Sequence, residues 1–182
     1  TLRSNVAITK QPADVSAKYG NQAVATVEAT GKDLTYEWYY KNEGMKSFAY
    51  TSSFDGDTYE VEMSEARDGR QVYCVISDKY GNKVQSETVT LTSVVSITEQ
   101  PTDVSVESGS NAAVTINAAG KDLTYEWYYK NVGMKSFAYT SSFDGDTYEV
   151  EMNSSRNGRQ IYCVITDKYG NKVETDVVTL SI

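Results

Sequence analysis

The sequence predicts an all-β chain built from two end-to-end copies of one two-sheet sandwich. Three observations carry this. The chain of 182 residues repeats at an offset of 89, with residues 6–93 matching 95–182 without insertion or deletion. Apolar and polar residues alternate with period two, the mark of half-buried strands. Turn-forming clusters cut the alternating runs into about seven short strands per copy.

Taken in order, the first strand contains Pro12, which lacks an N–H and fits only at an edge or a break. Gly20-Asn21 and Gly31-Lys32-Asp33 are turns. Between Leu34 and Tyr40, the residues Leu34, Tyr36, Trp38 and Tyr40 fall on one face, and Thr35, Glu37 and Tyr39 on the other. Asp55-Gly56-Asp57 is the next break, and Tyr59-Glu60-Val61-Glu62-Met63 alternates apolar in, acidic out. After Asp68-Gly69, Val72, Cys74 and Ile76 share an inward face. Tyr80-Gly81-Asn82 turns the chain, and Val89 and Leu91 close the copy. About seven short strands in fewer than 90 residues point to a sandwich.

The two copies are unevenly alike. From Gly31 to Met63 only one position differs, Glu43 against Val132. About half the positions differ before that stretch and roughly two in five after it. Selection on a shared surface and local gene conversion both account for this. Thr1-Leu2-Arg3-Ser4 resembles Thr90-Leu91-Thr92-Ser93, so residues 1–4 read as the tail of a preceding copy, with domains at 5–92 and 93–182. The chain opens without Met or a leader, as expected if processing or cloning removed them. The short junction from Thr92 to Val94 is expected to limit bending.

Composition narrows the function. The net charge of −8 argues against nucleic acid and anionic membrane as partners. No apolar run approaches the roughly 18 residues of a membrane span. There is no histidine, which removes the usual general base, the Ser-His and Cys-His pairs and the commonest metal ligand. Asp55-Gly56-Asp57 lacks the spacing of a Ca²⁺ loop and reads as a turn. Glu60 and Glu62 read as the exposed side of a strand, with no pocket implied. No catalytic residue, metal site or cofactor is expected.

Trp38, 36 residues before Cys74, and the run Asp68-Gly69-Arg70-Gln71-Val72-Tyr73-Cys74 resemble the strand C tryptophan and strand F cysteine of an immunoglobulin (Ig) domain. The openings Ile8-Thr9-Lys10-Gln11-Pro12, with Cys74-Val75-Ile76-Ser77-Asp78 and Gly81-Asn82, resemble the tandem Ig-like modules of Gram-positive surface or secreted proteins. The resemblance implies two tandem Ig-like sandwich domains in an extracellular or cell-surface protein. The sequence departs from that pattern twice. The strand B partner of Cys74 is Val27, and that of Cys163 is Ile116, so no disulfide is expected. Cys74 and Cys163 read as buried thiols in the cores around Trp38 and Trp127. The tyrosine two residues before the cysteine is replaced by Val72 or Ile161.

Aromatic residues supply the one candidate binding surface. Tyr39 and Tyr73 point out of neighbouring strands, with Phe48, Tyr50, Phe54 and Tyr80 nearby. Copy two repeats them as Tyr128, Tyr162, Phe137, Tyr139, Phe143 and Tyr169. Such clusters recur at protein interfaces and against sugar rings. The alternatives are side chains that merely cover the sheet, or a Phe48–Phe54 stretch folded into the core. Three functions fit: a spacer or adhesive segment, a module binding carbohydrate or host protein, and an accessory domain of a secreted glycoside hydrolase. Neighbouring repeats of the parent chain are expected partners, and the expected state is a monomer.

Overall fold

In the computed structural model, which describes residues 5–182, the first strand of each copy breaks where proline removes the backbone donor. β1 (Ala7–Lys10) pairs antiparallel with β4 (Glu28–Thr30), whereas β2 (Val15–Ala17), beyond Pro12, pairs parallel with β10 (Val89–Ser93). The chain switches sheets at this break, as the missing N–H requires. Side chains replace the lost ladder. Gln11 Oε1 accepts from the Glu87 N–H at 2.9 Å and Asp14 Oδ1 from the Thr90 N–H at 2.8 Å.

β3 (Gln22–Thr26) is followed by Val27 and β4, and it pairs with β7 (Thr58–Glu62). The opposing sheet runs β2, β10, β8 (Arg70–Ser77), β5 (Thr35–Lys41) and β6 (Ala49–Thr51), with β9 (Lys83–Gln85) also on β8. A short 3₁₀ turn, Glu65–Arg67, links β7 to β8. The ten segments are seven interrupted strands, because β1 with β2, β3 with β4, and β9 with β10 each form one broken run. The last break is a bulge at Ser86. Its N–H donates to the Cys74 carbonyl at 2.8 Å, and its hydroxyl accepts from the Cys74 N–H at 2.9 Å.

The second copy repeats this order as β11 (Ser96–Glu99) to β20 (Val178–Ser181). The chain divides into two compact units, one ending at Ser93 and the other beginning at Val94. The resemblance of residues 1–4 to a preceding copy lies outside the described residues.

Each unit closes around its own core. Trp38, Val27, Cys74, Val72, Ile76 and Leu91 are fully buried, as are Trp127, Cys163, Ile161 and Leu180, with Ile116 nearly so. The Trp38 indole N–H donates to the Gly56 carbonyl at 2.9 Å, and the Val27 N–H donates to the Asp57 carbonyl at the same distance. The Asp55-Gly56-Asp57 turn thus presents its carbonyls to the core.

Both cysteines are free. Burial pushes each thiol up to about 12. The folded protein keeps protons that the unfolded chain releases near pH 9, so the stabilisation is complete below pH 9 and lost as pH rises towards 12. We expect native Cys74 and Cys163 to resist a thiol reagent at neutral pH. In melts between roughly pH 8 and 11, Cys74→Ala/Cys163→Ala should lose less stability with rising pH than wild type, although each change costs about 1–2 kcal/mol as a small cavity at neutral pH. Rapid labelling of the native protein would contradict the buried-thiol assignment.

Phe54 and Phe143 depart from the expected surface patch. Phe54 packs against the core with its centroid 4.5 Å from that of Tyr59, and Phe143 lies 4.4 Å from Tyr148. Each sits in the loop that connects β6 to β7, or β16 (Ala138–Thr140) to β17 (Thr147–Glu151). Large rings gain more there by burial than by lying on the surface.

Candidate tyrosine face

The register of β5, β6 and β8 builds the site. Tyr39 lies opposite Tyr73 on β8 and opposite Tyr50 on β6, so three tyrosines form one row across three strands. Alternation turns all three away from Trp38 and Cys74. The Tyr39 and Tyr73 rings stack with centroids 5.0 Å apart and planes 8° apart. Tyr50 tilts against Tyr39 at 5.7 Å, and Phe48 meets Tyr73 at 4.8 Å and 65°. Lys41 extends from the same strand and places its ammonium 5.9 Å from the Phe48 centroid.

Unit 2 repeats the arrangement closely. Tyr128 and Tyr162 stack at 5.0 Å and 9°, Tyr139 sits 5.7 Å from Tyr128, and Phe137 lies 4.9 Å from Tyr162. Lys130 is 5.8 Å from the Phe137 centroid. Tyr50 and Tyr139 are the most open members, at 53% and 55% exposure, and the others are half-buried.

The stacking determines what this face offers. Two parallel rings at about the spacing of neighbouring strands each cover one broad face of the other. Edges and hydroxyls are left at the surface. Burial and Tyr39 raise the Tyr73 phenol above its ordinary value; burial, then Glu174 and Tyr128, do the same for Tyr162. Both hydroxyls remain neutral donors across physiological pH.

Tyr80 and Tyr169 stand apart. Each follows the outward strand into the next turn, at 42% and 38% exposure. Four residues of β8 lie beyond Tyr73, so Tyr80 is more than roughly 13 Å along the chain from it. Its turn is built by Asp78, whose Oδ1 accepts from the Tyr80 and Asn82 N–H groups and whose Oδ2 accepts from the Asn82 amide at 2.7 Å. Hydrogen bonds from Asn82, with others from the Tyr80 and Val6 backbone, hold the Asp78 carboxyl below the usual range. Asp167 repeats the role, and its Oδ2 accepts from the Val95 N–H at 3.0 Å. The sequence marked this segment as a turn, but not as an anchor for the first strand.

Among the described residues, no group of three or more side chains is placed to hold a metal ion, and no helix is long and apolar enough to cross a membrane.

Both units are Ig-like β-sandwiches, and the chain is a tandem of two. It is similar to the N-terminal four Ig domains of Dscam1 isoform 9.44, with a TM-score of 0.60 and 15% identity over 100% of this chain and 46% of that one. The same fragment of isoform 7.44 gives 0.56 and 16%, over 97% and 45%. The chain therefore spans about half the length of these fragments. No family model and no curated protein matches the sequence.

Proposed function

We propose that this chain is a non-enzymatic adhesion segment of an extracellular, repetitive bacterial surface protein, and that each unit binds a protein partner through its tyrosine face. The stacked Tyr39–Tyr73 pair carries the reading, because it recurs as Tyr128–Tyr162 with the same spacing and tilt. Tyrosine is enriched among interface residues whose truncation weakens binding most, since its rigid ring loses little entropy and its hydroxyl still bonds. Lys41 and Lys130 each place an ammonium at the rim of the face, where it can pair with a carboxylate on a partner. Placement at a bacterial surface is supported by the sequence resemblance to Gram-positive modules.

The geometry favours protein over glycan. Sugar rings stack on open aromatic faces, and the central pair covers its own. Screening the chain against purified extracellular proteins and a glycan array separates the two. The expected result is protein ligands whose binding weakens when Tyr39, Tyr73, Tyr128 and Tyr162 are all replaced by alanine. Glycan binding through these rings would overturn the choice of partner, and binding that the variant retains would overturn the face.

A further inference from the structure

A second surface lies at the lateral edge of the sandwich, along β7. Among the described residues this strand pairs only with β3. The Met63 N–H donates to Asn21, the Met63 carbonyl accepts from Gly20, and the Asp57 carbonyl accepts from Val27, so odd-numbered residues turn their backbone groups towards β3. Even-numbered Thr58, Glu60 and Glu62 therefore turn theirs outwards. The Glu62 carbonyl is taken by Arg67 Nη1 at 2.7 Å, which closes that end. The Glu60 N–H and carbonyl stay at an open edge.

A cleft of about 510 Å³ runs along this edge, lined by Glu60, Val61 and Glu62 on one side and by Thr51, Ser53 and Arg70 among others. It occupies the gap between the edge strands β6 and β7, where the sequence implied no pocket. Arg70 points inwards beneath it. Its Nε donates to Asn42 Oδ1 at 2.6 Å, Nη1 donates to the Tyr59 hydroxyl at 2.8 Å, and the guanidinium lies 4.7 Å from the Tyr40 centroid. All three partners are neutral, and no carboxylate pairs with Arg70 among the described residues. Unit 2 repeats the set: Arg159 bonds Asn131 and Tyr148 and lies 4.9 Å from Tyr129, and Arg156 takes the Glu151 carbonyl.

We infer that this edge is a strand-addition site for an extended peptide segment whose inward side chains are carboxylates. An added strand takes the Glu60 N–H and carbonyl, as exposed sheet edges do. Its inward side chain meets Arg70, a fixed fork of donors suited to a carboxylate. Its outward side chains flank Glu60 and Glu62 and are preferentially basic. The occupant is thus an alternating acidic and basic strand. Most of the cleft residues fall within the near-identical stretch from Gly31 to Met63.

The test is fluorescence anisotropy with a labelled, blocked octapeptide alternating lysine and glutamate. Two sites per chain are expected. Replacing glutamate by glutamine in the peptide should weaken binding about tenfold. Glu60→Pro/Glu149→Pro removes the outward N–H without touching a ladder bond, and should weaken binding at least about tenfold while the melt stays cooperative. Should that variant unfold, slowed amide exchange at Glu60 and Glu149 of the wild type on adding peptide replaces it as the readout. Tyr39→Ala/Tyr73→Ala should leave peptide binding unchanged, which separates this site from the tyrosine face. No binding at roughly 1 mM peptide, equal binding of the glutamine peptide, or unaltered exchange at Glu60 would each overturn the proposal.

Discussion

Trp38→Ala should destabilise unit 1 by about 3–5 kcal/mol. The side chain is fully buried, its ring lies 5.6 Å from that of Tyr59, and its indole N–H is the partner of the Gly56 carbonyl. Truncation removes a large apolar volume and also unties the loop that carries Phe54 back to the core. A domain of this size has about 5–15 kcal/mol of stability, so most of it is lost. The core of unit 2 is its own, from Val95 to Leu180. Calorimetry of the variant should show an early transition for unit 1 and a separate later one for unit 2. Trp127→Ala should reverse the order. The absence of a disulfide in either unit sharpens the effect, because no crosslink limits the unfolded chain.

The second large effect is on binding. Replacing Tyr39, Tyr73, Tyr128 and Tyr162 together by alanine should weaken a protein partner by about a hundredfold or more, since central tyrosines dominate such interfaces. Stability should fall far less than in Trp38→Ala, by about 0.5–1.5 kcal/mol for each stacked pair lost. A control at Val24, which is 42% exposed on the other sheet, should leave affinity unchanged as Val24→Ala. Surface plasmon resonance with the captured partner reads all three. Equal affinity for wild type and the four-tyrosine variant would remove the face from the account.

Much of this was legible in the residues. Period two placed Trp38, Cys74 and Val72 inside and Tyr39 and Tyr73 outside, because a strand of known register leaves a side chain only two choices. The same logic fails in loops. Phe54 belongs to no alternating run, so only the three-dimensional path of the 52–57 loop shows that it packs on Tyr59. The Tyr80-Gly81-Asn82 turn was readable, but the link of Asp78 to the first strand crosses most of the module. The role of Asp55-Gly56-Asp57 was hidden for another reason. Its carbonyls, not its carboxylates, meet Trp38 and Val27. The open edge of β7 was invisible to a one-dimensional pattern, since it depends on which strand is absent beside it.

Amide hydrogen exchange with a bound protein partner tests the central claim most directly. Slowed exchange is expected in β5, β6 and β8 around Tyr39, Tyr50 and Tyr73 and in the equivalent strands of unit 2, with β3 and β4 unchanged. Protection confined to the opposite sheet, with the tyrosine strands exchanging as in the free chain, would contradict it.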